Sequence, residues 1–464
     1  MSELPSLPTL KDLHALKPLQ QPTYADADEV GDVVRRLRRL PPLVFAGECD
    51  ELREKMAGAA AGRAFILQGG DCAETFAGVT AGNIQNKLRT LLAMALVLTY
   101  AAQVPVIKIG RMAGQFTKPR SSDTETRGEV TLPAYRGDAV NGFDFTPEAR
   151  SHDPQRLLGV YNASSATLNL VRAFVNGGFA DMRTMHSWNS DFVRSSPAGV
   201  RYEQLTAEIE RALAFIEACG IESEATRRVD FYSSHEGLSL EYEHAMTRID
   251  SRTHRPYNTS GHLIWIGERT RQLDGAHVEL IRHVRNPVAV KLGPTTTADT
   301  ALELADRIDP DGEAGRISFI TRFGAGKIRD LLPDVVEKVT ASGRHVTWVC
   351  DPMHGNTYEA AGGFKTRAFS DVIDEVNGFF DVHDELGTWP GGVHIELTGD
   401  DVTECVGGSH ELAEADLASR YETLCDPRLN RNQSLELAFQ VAERLVQSRA
   451  NRPAPVIDLQ SSGL

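Results

Sequence analysis

The chain has 464 residues and carries 49 Lys and Arg against 64 Asp and Glu, which gives a formal net charge of −15. Its length suits one large α/β barrel with additions, or two to three smaller domains. An acidic balance disfavours polyanionic partners, so we expect contact with no nucleic acid and no membrane surface. Six cysteines are too few for a disulfide framework in so long a chain, and we expect a soluble, cytoplasmic, reduced protein.

The first 42 residues differ in composition from the rest of the chain. They are rich in Pro and Leu, and VGDVVRRLRRL at 30–40 predicts a short helix that stops before Pro41 and Pro42. The predicted division of the chain is an N-terminal extension with oligomer or regulatory contacts at 1–42, a catalytic barrel at 43–445 with inserted helices around 195–222, and a C-terminal tail at 446–464.

Short apolar or β-branched runs recur from residue 65 onward, and helical patterns such as 297–308 and 328–343 separate them. The runs predicted as strands are 65–70, 104–110, 181–188, 229–237, 262–269, 287–293, 316–324, 345–355 and 392–399. Strands of this kind alternating with helices indicate a parallel sheet that is buried on both faces. The most apolar stretch, 90–102, is too short to cross a membrane and predicts a buried helix.

These nine runs are one more than a closed (β/α)8 barrel needs, so we expect one of them to lie outside the barrel. An open doubly wound sheet is the competing architecture. Seven of the runs end in chemically reactive side chains: Asp71 with Cys72, Arg111, Glu268 with Arg269, Lys291, Arg322, His354 and Glu396. A barrel gathers all its strand ends around one mouth, where active sites lie, so this distribution favours an α/β fold of the TIM-barrel type, with an N-terminal extension and extra helices.

A mixed set of metal-binding side chains occurs among these strand ends. Cys72, His354 and Glu396 end or follow predicted strands, and Asp426 comes later in CDPRLN. Thiolate, imidazole and carboxylate together suit Mn, Fe, Co or Zn. No local ligand spacing supports a metal site, but the first strand of a closed barrel lies beside the last, so the first three side chains would converge. The alternative is a buried Cys and a capping Asp with no metal.

Several cations are predicted at the same mouth: Arg111, Lys118, Arg120, Arg269, Lys291 and Arg322, with Ser121 beside Arg120. Lys291 and Arg322 interrupt apolar runs, and a charge buried there needs an anionic partner. Arg matches carboxylate or phosphate with paired hydrogen bonds, and Lys supplies a compact charge. So many cations in an acidic protein indicate ligands with several negative charges.

A set of long motifs carries a family resemblance over roughly residues 40–445. They are LQGGDCAETF, the Arg111 strand leading to KPRS, WIGERTRQLDGAH, VKLGP, VCDPMHGNT, GFKTR, PGGVHIELTG, VTECVGGS and CDPRLNRNQSLELAF. Together they resemble type II 3-deoxy-D-arabino-heptulosonate 7-phosphate (DAHP) synthases. The resemblance implies a transferase on a (β/α)8 barrel that condenses phosphoenolpyruvate with erythrose 4-phosphate in the first step of the shikimate pathway.

The same resemblance implies roles for individual residues. It makes Cys72, His354, Glu396 and Asp426 ligands of a divalent metal ion, Mn, Co or similar. The residues it places around phosphoenolpyruvate are Arg111, Lys118, Glu268, Arg269, Lys291 and Arg322, with Arg269, Lys291 and Arg322 at the phosphate and Arg111 and Lys118 nearer the carboxylate. It places Arg120 and Ser121 at the phosphate of the aldose. Lys118, Glu268 and Arg322 are the expected catalytic residues.

Other functions stay open at this point. An amino-sugar variant of a secondary pathway shares the chemistry, a catalytically silent barrel would only bind a partner, and an aldolase of another family would release no phosphate. The family resemblance also implies a homo-oligomer, a chorismate mutase partner and feedback control by aromatic amino acids through residues 1–40 and 202–220. Because Cys425 adjoins Asp426, a disulfide between Cys72 and Cys425 is a further hypothesis.

Overall fold

A computed structural model describes residues 7–197, 199–219 and 229–450 of the chain. Eight parallel strands close into a barrel, in which each strand pairs with its neighbours along the chain and the last pairs with the first. The strands are β1 Phe65–Gly70, β2 Val106–Arg111, β3 Tyr232–Glu236, β4 Leu263–Ile266, β5 Val288–Leu292, β6 Ile317–Thr321, β7 Val346–Cys350 and β8 Gly392–Glu396. This confirms the predicted (β/α)8 barrel, and the open doubly wound sheet is wrong.

Helices surround the barrel and extend the chain at both ends. They are α1 Leu10–Ala15, α2 Ala27–Arg39, α3 Ala46–Ala60, α4 Ala81–Ala102, α5 Pro147–Arg150, α6 Arg156–Asn176, α7 Met182–Ser195, α8 Gly199–Ala218, α9 Leu240–Met246, α10 Ala276–His283, α11 Ala298–Ile308, α12 Ile328–Ala341, α13 Phe369–Glu385, α14 Arg431–Ala450 and a 3₁₀ helix Glu414–Ser419. Antiparallel hairpins pair Thr124–Arg127 with Val130–Pro133, Thr247–Ile249 with Pro256–Asn258, and Thr357–Glu359 with Lys365–Arg367.

One of the nine predicted strands is wrong, because residues 181–188 open helix α7. The Asp181 side chain accepts hydrogen bonds from the backbone N–H groups of Arg183 and Thr184, which is the N-cap arrangement that starts a helix. The buried side chains Met185, Trp188 and Phe192 then recur at helical rather than alternating spacing. Removing this run leaves the eight strands that the barrel requires.

The hydrophobic core has two layers, one inside the barrel and one between strands and helices. Ile66, Ile109, Trp265 and Ile320 fill the interior, and α4 lies in the outer layer. The predicted buried helix at 90–102 is confirmed as the C-terminal part of α4, which packs against α14. The helices predicted at 297–308 and 328–343 are confirmed as α11 and α12.

The N-terminal extension contributes α1 and α2, and the helix predicted at 30–40 is confirmed within α2. Leu13, Val33 and Leu37 are buried against the rest of the chain. Helix α8 occupies most of the region around 195–222 that was predicted to hold inserted helices. Residues 220–222 of that region and residues 451–464 of the predicted tail lie outside the described residues. Within the described ranges, no helix has an apolar stretch long enough to cross a bilayer.

Strand register sets the level of the site. Gly70, the last residue of β1, pairs with Arg111 at the end of β2 and with Glu396 at the end of β8. Cys72 lies two residues beyond Gly70. The order of the barrel therefore brings side chains that are far apart in sequence to one level at the C-terminal mouth.

Candidate active site at the barrel mouth

A cavity of about 300 Å³ opens at the C-terminal ends of the strands. Its walls combine a thiol, carboxylates, an imidazole and many cations. The lining residues are Cys72, Arg111, Gln115, Lys118, Pro119, Arg120, Ser121, Glu236, Trp265, Gly267, Glu268, Arg269, Lys291, Arg322, His354, Lys365 and Asp426. Every sequence-predicted site residue except Glu396 lines it, and Glu396 lies fully buried behind the wall.

The predicted metal ligands lie together. One ligand atom from each of Cys72, Glu396 and Asp426 lies within 4.8 Å of the other two. His354 joins this cluster through Glu396, since its Nε2 atom is 3.0 Å from Glu396 Oε1. A buried thiol, two carboxylates and an imidazole at these distances form a donor set that a transition-metal ion accepts.

Lys118 lies inside this cluster rather than at its edge. Its Nζ atom is 2.9 Å from the sulfur of Cys72 and 2.5 Å from Asp426 Oδ2. Burial disfavours the ammonium, but Asp426 and Cys72 outweigh burial and raise the pKa of Lys118 well above its usual value. The lysine is therefore a fixed positive charge among the anionic groups.

Two arginines flank the carboxylate of Glu396, and one of them was not predicted. Arg111 Nη2 donates to Oε1 at 3.0 Å, and Arg367 Nη2 lies 2.8 Å from Oε2. Burial opposes ionisation of this carboxyl, but His354, Arg367 and Lys118 outweigh it and hold the pKa of Glu396 well below its usual range. Glu396 is thus ionised at neutral pH.

The floor of the cavity is aromatic and cationic. Trp265 lies under two charges, with the Arg111 guanidinium 5.0 Å and the Lys291 ammonium 5.9 Å from the ring centroid. Trp265 lies in β4, and its side chain points into the mouth of the barrel. Lys291 Nζ donates to Asp351 Oδ2 at 2.7 Å, and burial lowers the pKa of Lys291.

Two further cations and a carboxylate complete the far wall. Arg322 Nη2 donates to the backbone oxygen of His354 at 2.6 Å, while Arg269 is exposed at the rim. Glu268 accepts from Arg271 Nη2 at 2.7 Å and from the hydroxyl of Thr295 at 3.1 Å. These bonds orient the Glu268 carboxylate at the entrance of the cavity.

The loop at 118–121 forms the opposite rim. Arg120 is half-buried and Ser121 is exposed, and both line the cavity. An arginine and a hydroxyl at an open rim can bind a phosphate that enters from solvent. They follow β2, which lies three strands round the barrel from β5, the strand that carries Lys291.

The cysteine pair of the disulfide hypothesis lies within this site. A hydrogen bond with Cys72 lowers the pKa of Cys425, whereas burial and the same contact raise the pKa of Cys72. Both cysteines are free thiols in this structure. The disulfide therefore stays a prediction for oxidising, metal-stripped conditions.

Several side chains at the site were not predicted from the sequence. Glu236 ends β3 and its carboxylate lines the cavity, so the rule used for the other strand ends would have found it. Arg367 ends a hairpin strand and Lys365 lies in the same GFKTR motif, where no barrel-strand signal marks them. His394, buried in β8, contacts Arg111 Nη1 from inside the barrel.

Glu375 on α13 ties together the two loops that carry Arg322 and His354. Its Oε1 accepts from the backbone N–H of Gly324 at 2.8 Å, and its Oε2 accepts from Asn356 Nδ2 at 2.7 Å. The loops touch closely enough that a Cβ at Gly355 would lie 2.4 Å from the nitrogen of Gly324. Burial raises the pKa of Glu375 to about 8.

This raised pKa predicts a pH-dependent stability. Above pH 4.5 the unfolded chain releases the Glu375 proton, whereas the folded chain holds it up to about pH 8. Between these two values, the free energy of unfolding therefore falls as the pH rises. We expect Glu375→Gln to remove this fall in stability, which is at most about 1.4 kcal/mol per pH unit. Urea unfolding from pH 5 to 8 measures it. Glu337→Gln, an exposed glutamate on α12, is the matched control, and parallel profiles for wild type and Glu375→Gln would contradict the prediction.

Known proteins resemble this chain over nearly its whole length. A sequence model described as the class-II DAHP synthetase family matches residues 8–442. A phospho-2-dehydro-3-deoxyheptonate aldolase of Streptomyces coelicolor is 63% identical over 435 residues, which are 94% of this chain and 96% of that protein. The phospho-2-dehydro-3-deoxyheptonate aldolase AroG of Mycolicibacterium smegmatis is 50% identical over 458 residues, which are 96% and 98% of the two chains.

Among solved structures, a phospho-2-dehydro-3-deoxyheptonate aldolase from Francisella tularensis SCHU S4 is 14% identical and has a TM-score of 0.43, with 91% of this chain and 97% of that chain covered. The family match and the two relatives at 63% and 50% identity each extend over nearly the whole chain. The chain belongs to the class-II DAHP synthetase family.

Proposed function

We propose that this cavity condenses phosphoenolpyruvate with erythrose 4-phosphate and water, giving DAHP and inorganic phosphate, and that the reaction depends on a divalent metal ion. Family membership supports the overall reaction, the first of the shikimate pathway. The observation that carries the proposal is a thiol–carboxylate cluster facing a wall of cations across one cavity of about 300 Å³. The two substrates are both multiply anionic, so each needs such a wall.

The phosphoenolpyruvate subsite is proposed at the Trp265 floor. Lys291 and Arg322 lie on neighbouring strand ends, and Arg269 follows β4, the next strand round the barrel, so the three can bind one phosphate. Arg111 is buried beside Glu396 and can direct its charge at the carboxylate of the same molecule. Fixed cations of this kind orient the substrate and stabilise developing charge without reorganisation.

Cys72, His354, Glu396 and Asp426 would hold the metal ion. The mixed donor set of carboxylate, imidazole and thiolate suits Mn, Fe, Co or Zn, and the family resemblance favours Mn or Co. When bound there, the ion supplies Lewis acidity toward an aldehyde oxygen. Since Lys118 occupies the space between Cys72 and Asp426, its side chain has to move aside or share the site when the ion binds.

The remaining chemistry belongs to the substrates and to side chains around them. The methylene carbon of phosphoenolpyruvate attacks the aldehyde carbon, water adds at the enol carbon, and the hemiketal phosphate then releases inorganic phosphate. Glu236 and Lys291 border the cavity where that water would add, and both can hold it. We assign proton transfer to Glu268, whose carboxylate is oriented by Arg271, while Lys118 acts as an ammonium that donates hydrogen bonds and stabilises negative charge.

The aldose phosphate is proposed to bind at Arg120 and Ser121. Their rim position lets the phosphate stay near solvent while the aldehyde reaches toward Cys72 and Asp426. An imino counterpart of this sugar keeps the phosphate and changes the aldehyde, so it would alter the contacts toward Cys72 and Asp426 and leave the contacts at Arg120 and Ser121 unchanged.

A phosphate-release assay tests the proposed function. With phosphoenolpyruvate and Mn²⁺, we expect inorganic phosphate to appear only when erythrose 4-phosphate is added, and to stop when a chelator removes the metal. Faster release with the imino or amino analogue would favour the secondary-pathway variant. No release with either sugar would favour the silent barrel and overturn the proposal. Adding Phe, Tyr and Trp singly and together in the same assay tests feedback control.

Assembly and location are also proposals. The family resemblance implies a homo-oligomer in the cytoplasm, and Phe45, Val200 and Phe215 are exposed apolar side chains that subunit contacts could cover. Light scattering of the purified chain measures the mass of the assembly. A chorismate mutase partner is tested by adding that enzyme and measuring a change in mass and in DAHP synthase rate.

An ion pair next to the cluster is expected to control metal affinity. Arg428 Nη1 lies 2.8 Å from Asp71 Oδ1, and these residues are close in sequence to Asp426 and Cys72, respectively. Arg428 is itself fixed by Glu404, 2.7 Å away. Since the pair joins the two segments that carry ligands, Arg428→Met should weaken Mn²⁺ binding about tenfold. Titration with Mn²⁺, followed by the electron paramagnetic resonance signal of the free ion, measures it.

The matched control is Arg444→Met. Arg444 pairs with Asp381 at 2.7 Å on the outer helices, so losing it removes an Arg–Asp pair of similar length away from the cluster. Its Mn²⁺ affinity should equal that of the wild type. Equal affinities in all three proteins would refute a positioning role for Arg428.

A further inference from the structure

The segment between α1 and α2 crosses the rim of the cavity and contacts two of its loops. Gln21 Nε2 donates to the backbone oxygen of Leu238 at 2.8 Å, and its Oε1 accepts from the N–H of Leu240 at 3.0 Å. Leu238 and Leu240 follow β3, whose last residue is Glu236. Gln21 therefore fixes the N-terminal segment to one rim of the active-site mouth.

The preceding residue, Gln20, reaches the loop that follows the neighbouring strand β2. Its backbone has a φ of 63°, a left-handed conformation that is uncommon outside glycine and asparagine. In this conformation its side-chain oxygen accepts the backbone N–H of Arg120 at 2.8 Å. The loop that carries Arg120 and Ser121 is thus held by a residue 100 positions away in sequence.

A second contact links the same residues. Arg136, which is 5% exposed, donates from Nη1 to the backbone oxygen of Gln20 at 3.3 Å, and its own backbone oxygen accepts the N–H of Lys118 at 2.8 Å. Its Nη2 also pairs with Asp123. The loop 118–123 is therefore fixed at its start and end by Arg136 and in its middle by Gln20.

We propose that Gln20 is a positioning residue for the second substrate, and that the N-terminal extension thereby sets the affinity for the aldose phosphate. This inference rests on the proposed function, because it assumes that the phosphate of erythrose 4-phosphate binds at Arg120 and Ser121. Gln20 acts on that phosphate through the Arg120 backbone. Lys291 and Arg322, at the ends of β5 and β6, lie three and four strands round the barrel from β2, so we expect the phosphoenolpyruvate wall not to respond to Gln20.

The test compares steady-state kinetics of Gln20→Asn with wild type. Asparagine adopts left-handed backbone conformations readily, so the segment keeps its path while the side chain loses one methylene and with it the bond to Arg120. Losing one such bond should raise the KM for erythrose 4-phosphate about fivefold. The KM for phosphoenolpyruvate and the affinity for Mn²⁺ should stay within about twofold of wild type.

Hydrogen exchange supplies a readout that does not depend on turnover. The Arg120 amide should exchange about fivefold faster in Gln20→Asn, whereas Gln20→Glu, which keeps an acceptor at the same reach, should retain wild-type protection. Gln155→Ala is the matched control. It breaks bonds to Glu29 and Arg36 that attach the same extension to the start of α6, far from this loop, and should leave both measurements unchanged.

Each outcome bears either on this inference or on the proposed function. A wild-type KM for erythrose 4-phosphate in Gln20→Asn, or unchanged protection of the Arg120 amide, would overturn the inference and leave the function intact. An equal rise in KM for both substrates would also overturn it, since that result indicates a general loosening of the mouth. If wild type releases no phosphate with erythrose 4-phosphate, the proposed function itself fails.

Discussion

Cys72→Ala is expected to lower the rate of metal-dependent phosphate release about a thousandfold. The thiol is one of three ligand groups that lie within 4.8 Å of one another, and alanine offers no donor atom in its place. Lewis-acid activation of a carbonyl contributes several kcal/mol, and each 1.36 kcal/mol is about a factor of ten in rate. Phosphate release and Mn²⁺ binding, measured on the same protein preparations, test both the rate and its cause.

Cys49→Ala is the control for this substitution. Cys49 is equally buried, lies on α3 and accepts a weak bond from Asn286 Nδ2 at 3.3 Å, remote from the cavity. It should bind Mn²⁺ and turn over as wild type does. Full activity in Cys72→Ala with unaltered metal affinity would show that the cluster of Cys72, Glu396 and Asp426 is not the metal site.

Lys291→Met is expected to lower kcat/KM for phosphoenolpyruvate by about 10² to 10³. Lys291 is 6% exposed, and its ammonium lies above Trp265 beside Asp351. Methionine keeps most of the volume but removes the charge that we assign to the phosphate. The KM for erythrose 4-phosphate should change little, because Arg120 and Ser121 follow β2, three strands round the barrel from the strand that carries Lys291.

The matched control for the lysine is Lys338→Met. Lys338 is exposed on α12, where it pairs with Asp299, and its loss should leave kcat/KM unchanged. Thermal unfolding of both variants checks that the barrel is intact. A change of less than about threefold in Lys291→Met would contradict the assignment of Lys291 to the phosphoenolpyruvate subsite.

The barrel was predictable from the sequence because its strands are buried on both faces and consist mostly of apolar residues. The run at 181–188 was predicted wrongly because Asp181 caps a helix, and a short apolar run does not distinguish a strand from one face of a helix. The closing of the sheet was inferable from the reactive strand ends, since only a barrel gives them a common mouth.

The pairing register of the strands decides which strand-end residues lie at the same level of the barrel. Arg111 and Glu396 share a level because both pair with Gly70. Their roles as ligands of substrate and metal stay predictions. Arg367, Arg428 and Gln20 were missed for a different reason. They lie in a hairpin, a loop and the N-terminal segment, and only tertiary packing brings them to the mouth. No periodic pattern of apolar residues in the sequence predicts such contacts.

Anomalous diffraction from crystals grown with Mn²⁺ and phosphoenolpyruvate would locate the metal and the first substrate together. We expect one manganese peak bound by Cys72, His354, Glu396 and Asp426, with the phosphate of phosphoenolpyruvate on the cations Arg269, Lys291 and Arg322. A manganese peak away from the thiol, or phosphoenolpyruvate bound outside this cavity, would contradict the proposed metal site and substrate subsite.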